Sequence, residues 1–360
     1  MLKRIEADYR SWLGSSSAEL GYTGLESQTN VHTYTHTDGS THDVLVIDGR
    51  RDGEGPTILK STSLDYRINP FLVRQETITA HQLGARIGIS EIPGISGMPI
   101  NAKGELDLST DIDKKMSTVW QSKEEQRQVR YGAFDLIATK QLTALSSVLG
   151  LSNYDRVELG GHSLGAMLAA TMGKVAAREL LSTPLVIDRI HLEDPSNLYG
   201  LSPLAMTQTS LNGRIETKRR NDTYLKENDV IGHGDVTPFE RQSEENARIS
   251  KYIKGHQKGT VLRSLHATRR GIHPVLLDFV EQGLRNGTAS PDTVISIAHY
   301  EQSLACNLRD ALSLHDSITS QGMRSEVFEY ASPSDDPTEL GHQTATSLGR
   351  AASIAINTPR

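Results

Sequence analysis

A single cysteine, Cys306, is present among 360 residues. One thiol cannot close an intrachain disulfide, and one chain cannot build a thiolate metal cluster from it. That usage points to a reducing compartment and a cytoplasmic location. Long apolar runs are missing too: no stretch approaches the roughly 20 residues of a membrane span. The N-terminal MLKRIEADYR has the basic start of a signal peptide, but Glu6, Asp8 and Arg10 interrupt the apolar run that should follow. Positive charge is not in excess. The net charge of −6 argues against nucleic acid as the main partner, because phosphate binding draws on Lys and Arg. No HExxH, EF-hand or P-loop pattern occurs, so neither a metal nor a nucleotide cofactor is implied. Aromatics stand at 5% and hydrophobic residues at 36%. A polar insertion in an otherwise ordinary globular core would lower both averages.

What is present is an alternation of strand-like and helix-like segments. Residues 1 to about 28 read as a short helix and a Ser/Gly-rich loop. Two β-rich runs then flank Asp38-Gly39, a hairpin signal. Short apolar strands are expected at 56–64, 85–92, 156–159, 187–192, 293–298 and 325–330. Between them, helices are expected at 70–83, 124–149, 164–181 and 303–321, with a last one at 344–356. Such alternation predicts an α/β fold: a mostly parallel central sheet with helices on both faces, and an antiparallel hairpin near the N-terminus. From 198 to 290 the alternation stops. That block reads as an inserted, mainly helical cap on a core made of 1–197 and 291–360, over the carboxyl ends of the strands. It carries two basic patches, Lys218-Arg219-Arg220 and Arg269-Arg270; the first reads as a solvated helix face, in preference to a contact with an anionic substrate or membrane surface.

The chemistry centres on Gly161-His162-Ser163-Leu164-Gly165, a G-x-S-x-G. A serine hydroxyl is a weak nucleophile until a base takes its proton. A sharp strand-to-helix turn lifts the hydroxyl clear of the sheet, where a base can reach it, and leaves room only for small flanking residues. Here the pattern follows the apolar strand RVEL and opens an Ala-rich helix, which is the context that gives it meaning. The helix N-terminus also points at the site, favouring negative charge on a substrate oxygen.

This strand, turn and helix resemble the nucleophile elbow of the α/β-hydrolase superfamily, and the alternation outside 198–290 resembles that fold. The resemblance implies the chain order Ser, then Asp or Glu, then His. It places the base at His342, in the loop between the last strand and the last helix. It places the acid at Glu301, just after the penultimate strand, with Asp194 after the preceding strand as the alternative; Asp335 and Asp336 are weaker candidates. It implies two oxyanion-hole amides: Leu164, next to the nucleophile, and one in the loop after the first parallel strand, Ser63 or Leu64. The superfamily often has His-Gly in that loop, whereas this chain has Ser61-Thr62-Ser63-Leu64.

The activity so implied is cleavage of a carboxylic ester or related acyl bond through an acyl-enzyme, with a small-molecule or lipid-like acyl substrate. The same residues would serve an acyltransferase, thioesterase or amidase, and the fold could persist as a non-catalytic binding module. Among the other histidines, His162 sits inside the elbow, facing away from the partners of Ser163. His32, His36 and His42 read as exposed residues of the hairpin, a reading preferred there over a metal site.

Overall fold

Val294–Tyr300 is buried along its whole length. An unbroken buried run of this kind marks a strand covered on both faces. It is β8 of the sheet. The computed structural model describes residues 2–6, 29–49, 55–62, 76–93, 121–202, 264–300, 303 and 306–331, except 78, 82, 179 and 265. The other strands are β1 (Leu2–Glu6), β2 (Thr29–Thr35), β3 (Thr41–Asp48), β4 (Thr57–Ser61), β5 (Arg86–Ser90), β6 (Arg156–His162), β7 (Val186–Glu193) and β9 (Arg324–Ala331). Among the described residues these nine strands form one sheet, ordered β1-β9-β8-β7-β6-β4-β5-β3-β2. Every pairing is parallel except those of β3, which runs antiparallel to both β2 and β5. The β2–β3 hairpin closes at Asp38-Gly39, where the Gly39 amide donates to the His36 carbonyl at 2.9 Å.

Helices α1 (Lys123–Arg130), α2 (Asp135–Leu149), α3 (Leu164–Ala177), α4 (His273–Asn286) and α5 (Leu308–Ser320) join the strands. The period-2 rule sorts side chains to the two faces. On β3, Val44 and Val46 join the large core cluster, which also draws on α2, α3, α4 and α5. Leu45 and Ile47 point the other way and pack with Ile58, Ile87 and Ala80, the last from the helical residues around 76–83. Helices therefore cover both faces.

Four local readings change. The N-terminal segment expected as a helix begins as strand β1, in parallel register with β9 from Leu2↔Val327 to Glu6↔Ala331. The open edge of β9 presents unpaired amides and carbonyls, and satisfying them outweighs a weak local helix preference. The single helix expected over 124–149 is two, because the chain turns at Gly132 with φ +78°, a conformation that side chains disfavour. Helix α5 starts five residues later than expected. Asn307 caps it, its side-chain oxygen accepting from the Asp310 amide at 2.8 Å. Finally, α4 falls inside the stretch expected as a cap, yet it packs on α3 with Leu276, Phe279 and Val280 fully buried. Most of that stretch (203–263) lies outside the described residues, with its Lys218-Arg219-Arg220 patch and the helix expected at 344–356.

Candidate active site

The sheet's carboxyl edge brings the ends of β4, β6, β7 and β8 together. At the end of β6, Ser163 adopts φ 55° and ψ −117°, a strained backbone for a residue with a side chain. Two close approaches require it. A Cβ on Gly161 would stand 2.2 Å from the Gly165 carbonyl oxygen. A Cβ on Gly165 would stand 2.6 Å from the Ser61 oxygen and 2.8 Å from that of Thr62. The two flanking glycines therefore let the turn fold onto itself and onto the end of β4. The Ser163 amide donates to the Glu193 carbonyl at 3.0 Å, and the Ser163 carbonyl accepts from Ala166 at 3.1 Å. The turn is thereby tied to β7 on one side and to the first turn of α3 on the other.

Helix α3 starts at Leu164, directly behind the serine. Its first amides carry the positive end of the helix dipole. The carbonyls of Ser61 and Thr62 abut Gly165, so the chain leaves β4 beside this helix start. Ser63 and Leu64, the residues that follow, lie outside the described residues, as do His342, Glu301, Asp335 and Asp336.

Asp194 is described. It is fully buried, at φ 39°, and its Oδ2 accepts from the Ser303 hydroxyl at 2.6 Å. Asp194, His299 and Cys306 bring donor atoms within 4.8 Å of one another, all buried, and these are the described residues that could ligate a metal. Burial, then the charges of Asp194 and Asp310, pushes the Cys306 thiol well up, which keeps it in the neutral form.

Three residues of this region escaped the sequence reading. Ser196 places its Oγ 2.8 Å from that of Ser163. Lys60 lies buried under the elbow, its Nζ 3.4 Å from Glu76 and 3.5 Å from Glu193. Glu193 is also the residue whose carbonyl holds the Ser163 amide. Burial, then the Glu193 carboxylate, pushes the Tyr330 phenol well up. Lys60 had a readable signal: a lysine inside the apolar strand TILKS asks for a buried partner. Ser196 had only Pro195, which marks a turn and no chemistry.

The histidine readings divide. His162 is buried beside the turn and His32 is exposed. His36 and His42, expected to be exposed, are buried and hydrogen-bonded to each other, Nε2 to Nδ1 at 3.0 Å. Helix α2 covers them and brings Lys140 to Asp38 on the hairpin turn.

The strand order, the antiparallel β3 in an otherwise parallel sheet, and a strained serine on the turn from β6 into α3 define an α/β-hydrolase fold. No family model matches the chain, and no curated protein does. Solved structures do match. The thioesterase domain from the curacin biosynthetic pathway is 12% identical over 92% of this chain and 99% of its own, with a TM-score of 0.47. Carboxylesterase CesB (YbfK) from Bacillus subtilis is 11% identical over 97% and 95%, with a TM-score of 0.48. The bottromycin epimerase BotH is 12% identical over 91% and 98%, with a TM-score of 0.44.

Proposed function

We propose that the protein is a serine hydrolase that cleaves a carboxylic ester or related acyl bond through an acyl-enzyme on Ser163. The observation that carries this reading is the backbone of Ser163, held at φ 55° with helix α3 opening directly behind it. Strain at one serine, kept in place by two glycines, is the mark of a residue presented for use. In the proposed reaction His342 takes the Ser163 proton as Oγ attacks the substrate carbonyl. The Leu164 amide and a second amide, from Ser63 or Leu64, hold the oxyanion. The alcohol departs with the proton from His342. Water, deprotonated by the same histidine, then releases the acid and restores Ser163.

Two carboxylates compete to orient His342. Glu301 is the position that the resemblance implies first. Asp194 has the better support from described geometry. It is buried, held by Ser303, and two residues from the hydroxyl that touches Ser163. We therefore assign the acid to Asp194.

The test is reaction with a fluorophosphonate, which phosphonylates an activated serine. The native protein should be labelled at one site, and Ser163→Ala should abolish labelling. An unlabelled native protein refutes the hydrolase reading, and labelling that survives in the variant refutes Ser163.

A further inference from the structure

The turn after β7 holds two non-glycine residues at positive φ within four positions, Asp194 at 39° and Asn197 at 59°. Such conformations persist where the surroundings over-determine them, and this turn is tied at both ends. The Asp194 amide donates to the Ala298 carbonyl on β8 at 2.9 Å, and Ser303 donates to the Asp194 carboxylate. At the far end, the Asn197 side-chain amide donates to Thr268 Oγ1 at 3.0 Å. The Asn197 carbonyl accepts from the Ile272 amide at 3.1 Å, just before α4. Between these anchors Pro195 locks one more torsion. The product of all this constraint is Ser196, whose Oγ stands 2.8 Å from that of Ser163.

Two hydroxyls at this distance share one hydrogen. Were Ser163 the donor, its proton would point at Ser196 and away from any base. With Ser196 as donor, the Ser163 proton stays available to the base. The bond then also strengthens as negative charge builds on Oγ, because hydrogen bonds to charged acceptors are the stronger ones. We propose that Ser196 is a further catalytic residue, donating its O–H to the Oγ of Ser163. The role rests on Ser163 being the nucleophile. During attack, the Ser163 proton passes to His342 while the bond from Oγ to the acyl carbon forms. During deacylation that bond breaks, charge returns to Oγ, and His342 gives the proton back. Ser196 keeps its own proton throughout, so no atom or charge is transferred through it.

The experiment compares native protein, Ser196→Ala, Ser196→Thr and Ser196→Cys. It reads the second-order rate of fluorophosphonate labelling, kcat and KM on a short-chain aryl ester, and the thermal midpoint. Ser196→Ala should lower the labelling rate and kcat by about ten- to a hundredfold, the range of one hydrogen bond to a charged group. KM and the midpoint should hardly move. Threonine keeps the hydroxyl and should retain most of the rate, whereas cysteine, a weak donor, should not. If Ser196→Ala does not fold, the threonine and cysteine variants decide, and equal rates in both would overturn the role. A native protein labelled on Ser163, with Ser196→Ala labelled at the native rate, sinks this inference alone. Native protein that is unlabelled, or labelled on Ser196, sinks the nucleophile assignment with it.

Discussion

Three glycines within the six residues from Gly160 to Gly165 should respond very differently to the same added methyl group. At Gly160 a Cβ would meet the Lys60 side chain at 3.4 Å, an ordinary contact with a flexible neighbour. At Gly165 it would meet two backbone carbonyls at 2.6 and 2.8 Å, and at Gly161 another at 2.2 Å. Relief at Gly161 demands a backbone shift of about 1 Å in the turn that carries Ser163, since dispersion contact turns to repulsion steeply inside the optimum. Overpacking of this kind destabilises by about 1–3 kcal/mol. A displacement of that size at the nucleophile costs about a hundredfold in rate. Gly160→Ala should therefore stay near native in both urea unfolding and fluorophosphonate labelling. Gly165→Ala should lose stability and label slowly, since it pushes on the end of β4, and Gly161→Ala should be the worst of the three. The reasoning is refuted if Gly161→Ala matches Gly160→Ala in both assays, because the turn would then not depend on the close approach.

Further outcomes follow from the buried polar groups. Asp194→Asn should reduce kcat by about 10³- to 10⁴-fold, as expected when a base loses its orienting carboxylate, with Glu301→Gln near native; the reverse pattern returns the acid to Glu301. Lys60→Met leaves Glu76 and Glu193 buried without their shared cation and should destabilise by about 3–5 kcal/mol. An unchanged urea midpoint would show that the cluster is not held by charge. His42 links stability to pH. Burial, then the charges of His36 and Lys140, lowers its pKa from 6.5 to about 3. The unfolded imidazole binds a proton more readily than the folded one. The stability tied to neutral His42 is therefore complete above pH 6.5 and is lost as pH falls from there towards 3. His42→Phe should flatten that decline, and parallel declines in the two proteins would refute the linkage.

Much of the α/β framework could be read locally because its signals are local. Apolar runs such as VISIA, and helices with apolar residues at three- and four-residue steps, announce themselves without knowing their neighbours. The hairpin at Asp38-Gly39 is of the same kind. Errors came where a distant segment overrode a local preference. The edge of β9 drew Leu2–Glu6 into the sheet. Helix α2 covered His36 and His42, which the hairpin alone would have left in water. Helix α4 looked like part of a polar insertion until α3 supplied the apolar surface it packs against.

The same division runs through the site. No helix of the described residues is long and apolar enough to cross a membrane, and the single cysteine was plain from composition. The pentad from Gly161 to Gly165 was legible because its chemistry is contained in five consecutive residues and the strand and helix beside them. Ser196, Lys60 and Glu193 were not, because their meaning lies in pairings across 33, 16 and 133 positions of chain. Local sequence determined which serine stands on a strained turn, since covalent neighbours and small side chains are enough to specify one. Only the tertiary structure decided what touches that serine, since a 2.8 Å contact between two hydroxyls depends on how two strands are registered and how the turns beyond them are tied down.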